Sequence, residues 1–281
     1  MSHLSPTISP VSDIIAAIRL GSTGEQPMTQ TLAEEVPFAF HYNGFSHAVM
    51  MTTPDDLDDF VLGFSLTEGV IEDASDIRAF RIRRNEDGLT AAIELAPASL
   101  RRFLATRRLR RLQGYTGCGL CGVEDLSDIR RICRRLPATA PLKGDAIEQA
   151  VRQLREFQPL SRGTRAAHAA AWVDVRGHIV AVREDVGRHN ALDKLIGAML
   201  RQKIAAADGF CLITSRCSFE MAQKAIAAGF AALVSVSAPT AYAVRTAQSA
   251  GLALYSLSRE GGQLLYTKPS MPEGLSHVDD A

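Results

Sequence analysis

The sequence predicts an α/β protein (α+β overall): a mixed-sheet layered domain, preceded by a smaller α+β domain. Three observations lead there. From about residue 145, short apolar stretches such as "FCLITS" and "ALVSVS" alternate with helical patterns, the signature of strand–helix units layered on a sheet. The pair "HAAAWVDV" and "HIVAVRE", joined across Arg176-Gly177, reads as a hairpin, so the sheet is mixed rather than wholly parallel. Hydrophobic residues make up 46% of 281 residues, enough for a proper core in one large domain or two smaller ones.

In chain order, residues 1–28 are rich in Ser, Pro, Thr and Gly and read as a mobile tail. The N-terminal domain is expected over 29–112. There "PFAFHY" and "FSHAVMM" are strand-like, and Asn43-Gly44 between them fits a two-residue hairpin turn. Thr53-Pro54 opens a helix, "DDLDDFVLGFSLTEG", whose Leu57, Phe60, Val61 and Phe64 recur at helical spacing and whose acidic residues form a solvated face. A second hairpin, "IRAFRIRR" and "LTAAIEL", turns at "NEDG", and Pro97 begins an arginine-rich helix. Residues 113–144 hold a Gly-rich loop and a linker, with a helical pattern over 126–136. The C-terminal domain is expected over 145–271, with helices at 145–156, 188–203, 218–228 and from Pro239 to about 250. "LALYSLS" and "QLLYTK" are its closing strands, and 272–281 is a tail.

Composition excludes several classes. Formal net charge is +0, so no global basic field points to nucleic acid. No apolar run approaches the roughly 20 residues of a membrane helix. The first 21 residues lack the basic start and apolar stretch of a signal peptide, so a cytoplasmic setting is expected. Five cysteines are an odd number and few for this length, which is no disulfide framework.

The most distinctive stretch is "GYTGCGLCGVEDL", residues 114–126, with Cys118 and Cys121 among Gly117, Gly119 and Gly122. Three readings stay open on the residues alone. A structural zinc site needs four ligands, and neither a second CxxC nor a His pair follows, although Cys133 and a distant His could contribute. A thioredoxin-like pair follows a strand and opens a helix; here an arginine-rich helix precedes. A carrier thiol suits the unshielded, Gly-rich surroundings. From Arg101 to Arg135 ten arginines stand against Glu124, Asp125 and Asp128. Nearby cations favour thiolate, though two helices with solvated arginine faces would leave the same pattern.

Two further constellations lie at strand-to-helix junctions. "REDVGRHNALDKLIG" (183–197) crowds Glu184, Asp185, Arg188, His189, Asn190, Asp193 and Lys194 around Gly187. A helix start there can hold an anion. The bland alternative is that Asp185 caps, Asp193 and Lys194 are solvated and His189 is a satisfied, partly buried histidine. "TSRCSFEMAQKA" places Thr214, Ser215, Arg216, Ser218 and Glu220 where open α/β sheets bind ligands, or simply where a helix is capped. Cys211 reads as core.

In this order "GCGLCG", "REDVGRHNALDK" and "SRCSFEMAQKA" resemble the FdhD family, the accessory sulfurtransferases of formate dehydrogenase. "EVPFAFHYNGFSHAVMMTTPDDLDDFVLGFSLTEGVI" resembles that family's amino-terminal half. The likeness covers roughly residues 30–270. It implies a sulfur carrier that accepts persulfide sulfur from a cysteine desulfurase on Cys118, with Cys121 as relay or resolving thiol. The sulfur passes to the molybdenum (or tungsten) cofactor, in its bis-molybdopterin guanine dinucleotide form, before insertion into formate dehydrogenase. It also implies a cytidine-deaminase-like C-terminal domain and a homodimer. Cofactor contacts are expected at Leu257, Ser258, Arg259, Glu260, Gly261 and Gly262, and at Gly187, Arg188, His189, Ser215 and Arg216. "LSREGG" lacks the aromatic and the final arginine of the family's pattern, with Arg259 left to supply positive charge. The deaminase zinc motif is missing from "GRHNAL", so neither bound metal nor deamination is expected. The rival readings are a zinc-stabilised nucleotide-binding module and a thiol-disulfide oxidoreductase.

Overall fold

The computed structural model describes residues 10–22, 24–111 and 135–269. The stretch read as a tail is, from Ser12 onward, an antiparallel ribbon of β1 (Ser12–Gly21) and β2 (Gly24–Ala33), in register from Ser12↔Ala33 to Gly21↔Gly24. The tail reading weighed Ser, Pro and Gly and missed Ile14, Ile15 and Ile18, β-branched residues that favour strand. Gly24, at φ +105°, lets the chain reverse.

Next comes a four-stranded sheet of β3 (Val36–Tyr42), β4 (Phe45–Thr52), β5 (Ile77–Asn85) and β6 (Gly88–Leu95), in the order β4-β3-β6-β5. Asn43 and Gly44 both take positive φ, as a tight hairpin turn between β3 and β4 requires. Helix α1 (Leu57–Thr67) carries the chain across, so β3 and β6 pair in parallel. The period-2 alternation of β3 turns Phe38, Phe40 and Tyr42 onto one face. There they meet Phe60 and Phe64 of α1, with the Phe40 and Phe64 rings stacked 4.1 Å apart. Helix α2 (Pro97–Arg111) follows and adds Phe103 against Tyr42.

The second sheet has six strands. The chain runs through α3 (Gly144–Leu154), α4 (Pro159–Thr164), β7 (His168–Asp174), β8 (Ile179–Asp185), α5 (Arg188–Gln202), β9 (Gly209–Ile213), α6 (Phe219–Ala227), β10 (Ala232–Ser235), α7 (Ala241–Ala250), β11 (Ala253–Leu257) and β12 (Gln263–Thr267). The order is β12-β11-β10-β9-β7-β8, with β9, β10 and β11 parallel and the other pairs antiparallel. Successive crossovers moving one way along a sheet fall on one face. Accordingly α5, α6 and α7 pack on Ala170, Trp172, Cys211, Ile213, Leu233 and Leu254. The alternate residues, Ala171, Val173, Leu212, Val234 and Tyr255, face α3 through Ile147, Ala150 and Leu154. The mixed α/β expectation holds. Short α4 escaped the sequence reading because "PLSRGT" carries no apolar stripe; Pro159 at its first position starts it.

Helices α1 and α5 lie back to back between the two sheets, and this explains their composition. Ten consecutive residues of α5, Asn190 to Met199, are buried, as befits a helix covered all round. The approach is close because each helix has a glycine at the crossing. A Cβ on Gly63 would sit 1.7 Å from the Asp193 carbonyl oxygen, and one on Gly197 would sit 1.8 Å from that of Asp59. Side chains cannot be added there without prising the layers apart. Gly197→Val is therefore expected to lower stability by at least ~3 kcal/mol, read from urea unfolding against wild type. An unchanged midpoint would mean that the helices do not cross at these glycines.

Candidate functional site: one edge of the six-stranded sheet

Strands β9, β10 and β11 run in parallel, and β8 and β9 are both antiparallel to β7. The carboxyl ends of β8, β9, β10 and β11 therefore share one edge. This edge collects every sequence-predicted binding residue: Gly187, Arg188 and His189 after β8, Ser215 and Arg216 after β9, and Leu257 to Gly262 after β11. From β8 to β11 is four inter-strand steps, roughly 19 Å. The residues thus line an edge rather than converge on one point. The first turns of α5, α6 and α7 start from the same edge.

Each segment has its own geometry. Gly187 is the N-cap of α5, and its N–H donates to Asp185 Oδ1 at 2.7 Å. A Cβ there would lie 2.9 Å from Asn190 Nδ2, so a side chain would push the Asn190 amide away from Asp185 Oδ1. His189 Nε2 lies 2.9 Å from Glu220 Oε2 in the first turn of α6, which ties two helix starts together. Burial holds the His189 imidazole below its ordinary pKa, against the pull of Glu220. Burial, then the Arg188 charge, does the same to His168. Ser215 is buried, its Oγ donating to the Arg216 carbonyl at 3.1 Å, while Arg216 is exposed. Ser218 is the N-cap of α6 but its side chain makes no cap bond, whereas Thr240 Oγ1 caps α7 by accepting from Ala243 N–H at 3.2 Å. The Ser258–Gly262 loop closes with Ser258 N–H donating to the Gly262 carbonyl at 3.0 Å, and Gly261 and Gly262 take positive φ. Arg259 and Glu260 point to solvent. Arg188, Arg216, Arg259 and three helix starts make this edge suited to an extended anion.

The bland alternative holds for Asp185, which does cap through Gly187 N–H, and fails for Asp193 and Lys194, which are not solvated. Asp185 and Lys194 are fully buried and Asp193 nearly so. Asp185 Oδ2 accepts from Thr52 Oγ1 at 2.6 Å and Thr53 N–H at 3.0 Å, and pairs with Lys194 Nζ at 2.6 Å. Its Oδ1 accepts from Gly187 N–H and from Asn190 Nδ2. Lys194 Nζ also donates to the Thr53 carbonyl at 2.9 Å. Asp193 accepts from Thr67 Oγ1 at 2.7 Å and pairs with Lys224 at 2.9 Å. On α1, Asp59 is buried too, paired with Arg183 at 2.7 Å and Arg201 at 2.8 Å. These charges go inside because each has a partner on the other layer, which a single segment's helical pattern cannot reveal. The sequence reading gave Thr52, Thr67 and Lys224 no role of their own, and Thr53 only that of opening a helix. The mid-helix glycines 63 and 197 were the available hint that two helices touch.

Cys118 and Cys121 lie outside the described residues, as does most of the helical pattern over 126–136. The chain is described again from Arg135, and Leu136 is buried, with its N–H donating to the Ala250 carbonyl at 2.9 Å. Of the described thiols, Cys211 and Cys217 are both buried. Burial pushes Cys217 up to about 12 and Cys211 higher still, so neither is a thiolate near neutral pH. Among the described residues no group of three or more His, Cys, Asp or Glu is set to hold a metal ion. No helix among them is long and apolar enough to cross a membrane.

Two outcomes test this geometry. Lys194→Met leaves Asp185 buried and unpaired and should cost about 3–5 kcal/mol. The double variant Asp185→Asn/Lys194→Met should cost less, as urea titrations of both will read. The second concerns acid. A histidine held below its ordinary pKa of about 6.5 binds fewer protons folded than unfolded, so stability is present above that pH and falls as pH drops through it. His168→Asn should therefore lose less stability than wild type between pH 7 and 5.5.

Residues 33–272 match the model of the FdhD/NarQ family. The sulfur carrier protein FdhD of Bordetella petrii is 44% identical over 268 residues, 95% of this chain and 96% of its own. That of Xanthomonas euvesicatoria pv. vesicatoria is 43% identical over 269 residues, 95% of each. The crystal structure of a protein from Desulfotalea psychrophila assigned as a formate dehydrogenase accessory protein matches with a TM-score of 0.72, over 93% of this chain and 99% of that one, at 22% identity. The last likeness supports the fold. With the family match spanning most of its length and relatives above 40% identity along nearly all of it, the chain belongs to the FdhD/NarQ family.

Proposed function

We propose that this protein is a cytoplasmic sulfur carrier that serves formate dehydrogenase. One observation carries the reading: the glycine-flanked pair Cys118 and Cys121 stands in a chain whose relatives, at 43–44% identity over about 95% of its length, are named sulfur carriers. In the first step the Cys118 thiolate attacks the terminal sulfur of a cysteine desulfurase persulfide. The S–S bond breaks, the desulfurase cysteine leaves as thiolate, and Cys118 holds the persulfide. In the second step Cys121 attacks Cys118 Sγ and a disulfide forms. The outer sulfur leaves as sulfide for the substrate, the bis-guanine dinucleotide form of the molybdenum or tungsten cofactor. A dithiol reductant then reopens the disulfide.

The sheet edge supplies the binding half of this reading. Arg188, Arg216 and Arg259, with the helix starts beside them, suit the phosphates of an extended dinucleotide. His189, Ser215 and the Leu257–Gly262 loop would flank its bases. Exposed Ile14, Ile18 and Leu20, at 67%, 60% and 76%, share one face of the β1–β2 ribbon. A lone two-stranded ribbon is marginal in water, which favours a homodimer that covers it.

Mass spectrometry after incubation with a desulfurase and cysteine should find one added sulfur on wild type and none on Cys118→Ala, with the variant failing to activate formate dehydrogenase. Bound sulfane sulfur on Cys118→Ala together with full activation would refute the assignment. Stoichiometric zinc with unfolding by chelator would favour the zinc module instead, and insulin reduction without a desulfurase would favour the oxidoreductase. For the dimer, Ile18→Asp/Leu20→Asp should halve the mass seen by light scattering.

A further inference from the structure

We propose that β5 is a docking edge for an extended acidic–apolar segment of a partner protein, which adds as a fifth strand to the four-stranded sheet. Strand β5 lies at the end of the order β4-β3-β6-β5, so every second residue turns its backbone N–H and C=O away from β6, with no strand among the described residues to receive them. It carries Arg78, Arg81, Arg83 and Arg84, all exposed, and no acidic residue. Several arginines of other elements find carboxylates, Arg102 with Asp76, Arg152 with Glu148, and Arg183 and Arg201 with Asp59, while the unpaired ones elsewhere, such as Arg176, Arg216 and Arg259, are scattered singly along the chain. None of the four on β5 has such a partner among the described residues. In a chain with 31 basic and 31 acidic residues, four unanswered cations on one strand are a segregated charge.

The register gives the edge two different faces. Arg81 and Arg83 stand opposite Ala92 and Thr90 on the outer face, beside Ala79 opposite Glu94. No helix among the described residues covers that face. It holds an open depression of about 700 Å³, floored by Ala79 and Ala92 and walled by Arg81, Arg83 and the Asn43–Gly44 turn. On the other face Phe80 and Ile82 stand opposite Ile93 and Ala91 and are half-buried at the margin of the core. An added strand would set alternate side chains beside Arg81 and Arg83 on the outer face and beside Phe80 and Ile82 on the other, where Arg84 stands at one end opposite Leu89. Its matching sequence therefore alternates carboxylates with apolar residues. In strand addition the main chain supplies affinity and the alternate side chains supply specificity. Edge arginines can also serve only to repel other strands; that role has no use for an alternating partner, which is how the two are told apart.

The probe is a fluorescein-labelled, end-blocked nonapeptide of alternating glutamate and valine, followed by fluorescence anisotropy with the full chain. A second peptide has the same composition with its glutamates and valines in separate blocks. Wild type should bind the alternating peptide at least ~10-fold more tightly than the blocked one. Arg81→Glu/Arg83→Glu should weaken it by ~10-fold or more, with an unchanged thermal midpoint. The milder Arg81→Gln/Arg83→Gln pair serves if the first variant unfolds. Hydrogen exchange of β5 amides should slow when the peptide binds. Equal affinity for both peptides, unchanged affinity in the variants, or no binding at ~1 mM would overturn the proposal. None of these readings depends on Cys118 or on sulfur transfer.

Discussion

The Asp185 carboxylate holds the two layers of this protein in one relation. It ends β8, yet two of its five partners come from the end of β4 and the residue beyond it, Thr52 and Thr53, more than 130 residues away in sequence. Gly187, Asn190 and Lys194 on its own side complete the set. A carboxylate and an ammonium stripped of water would be prohibitive if either stood alone. As a fully bonded pair they add little net stability over apolar residues of the same volume. Their contribution is direction. Five bonds to one carboxylate fix where β4 ends, where α1 begins and where α5 starts. The Gly63–Gly197 crossing then fixes the distance between those helices.

That constraint is also what positions the candidate site. Gly187, Arg188 and His189 follow Asp185 immediately, so the start of α5 cannot move without breaking the carboxylate's bonds. His189 reaches Glu220, which places α6 relative to α5. Lys224, one turn further along α6, reaches back to Asp193 of α5 and Thr67 of α1. The edge that carries Arg188 and Arg216 is thus braced from below by buried ion pairs. Its arginines and helix starts suit the anion proposed for it. The edge is not set up to supply a nucleophilic sulfur, because Cys211 and Cys217 are buried with their thiols held protonated. The sulfur carriage proposed for this protein would draw on Cys118 and Cys121 instead.

The sequence made much of this legible, for identifiable reasons. The six-stranded sheet could be read because its strands are short apolar runs and most of its longer helices carry an apolar stripe. The Asn43-Gly44 turn could be read because few residue pairs tolerate two consecutive positive φ values. That the polar residues of three segments share one edge could be read because the ends of neighbouring parallel strands in an open sheet lie side by side. What stayed hidden depended on a second surface. Asp59, Asp193 and Lys194 look like the solvated side of amphipathic helices until both sides of α1 and α5 are seen to be covered. The β1–β2 ribbon stayed hidden for the opposite reason. Its apolar residues are exposed, so the turn-forming residues around them outweighed a strand pattern with no core to serve.

Net charge proved the least informative quantity, and screening explains why. Opposite charges cancel in a sum over the chain, but a surface group feels only what lies within a Debye length, about 8 Å at physiological ionic strength. Across that distance the protein is far from neutral. Strand β5 presents Arg78, Arg81, Arg83 and Arg84 together, while the start of α1 gathers Asp55, Asp56, Asp58 and Asp59. Of these acids, Asp59 and Asp56 are committed to Arg183 and Arg201 inside the fold, whereas the β5 arginines remain uncommitted. Folding pairs charges of both signs at the layer junction and leaves the basic groups of β5 on the sheet edge. A chain with no overall field thus acquires a local positive one at the margin of its smaller sheet, where a partner's carboxylates would meet it.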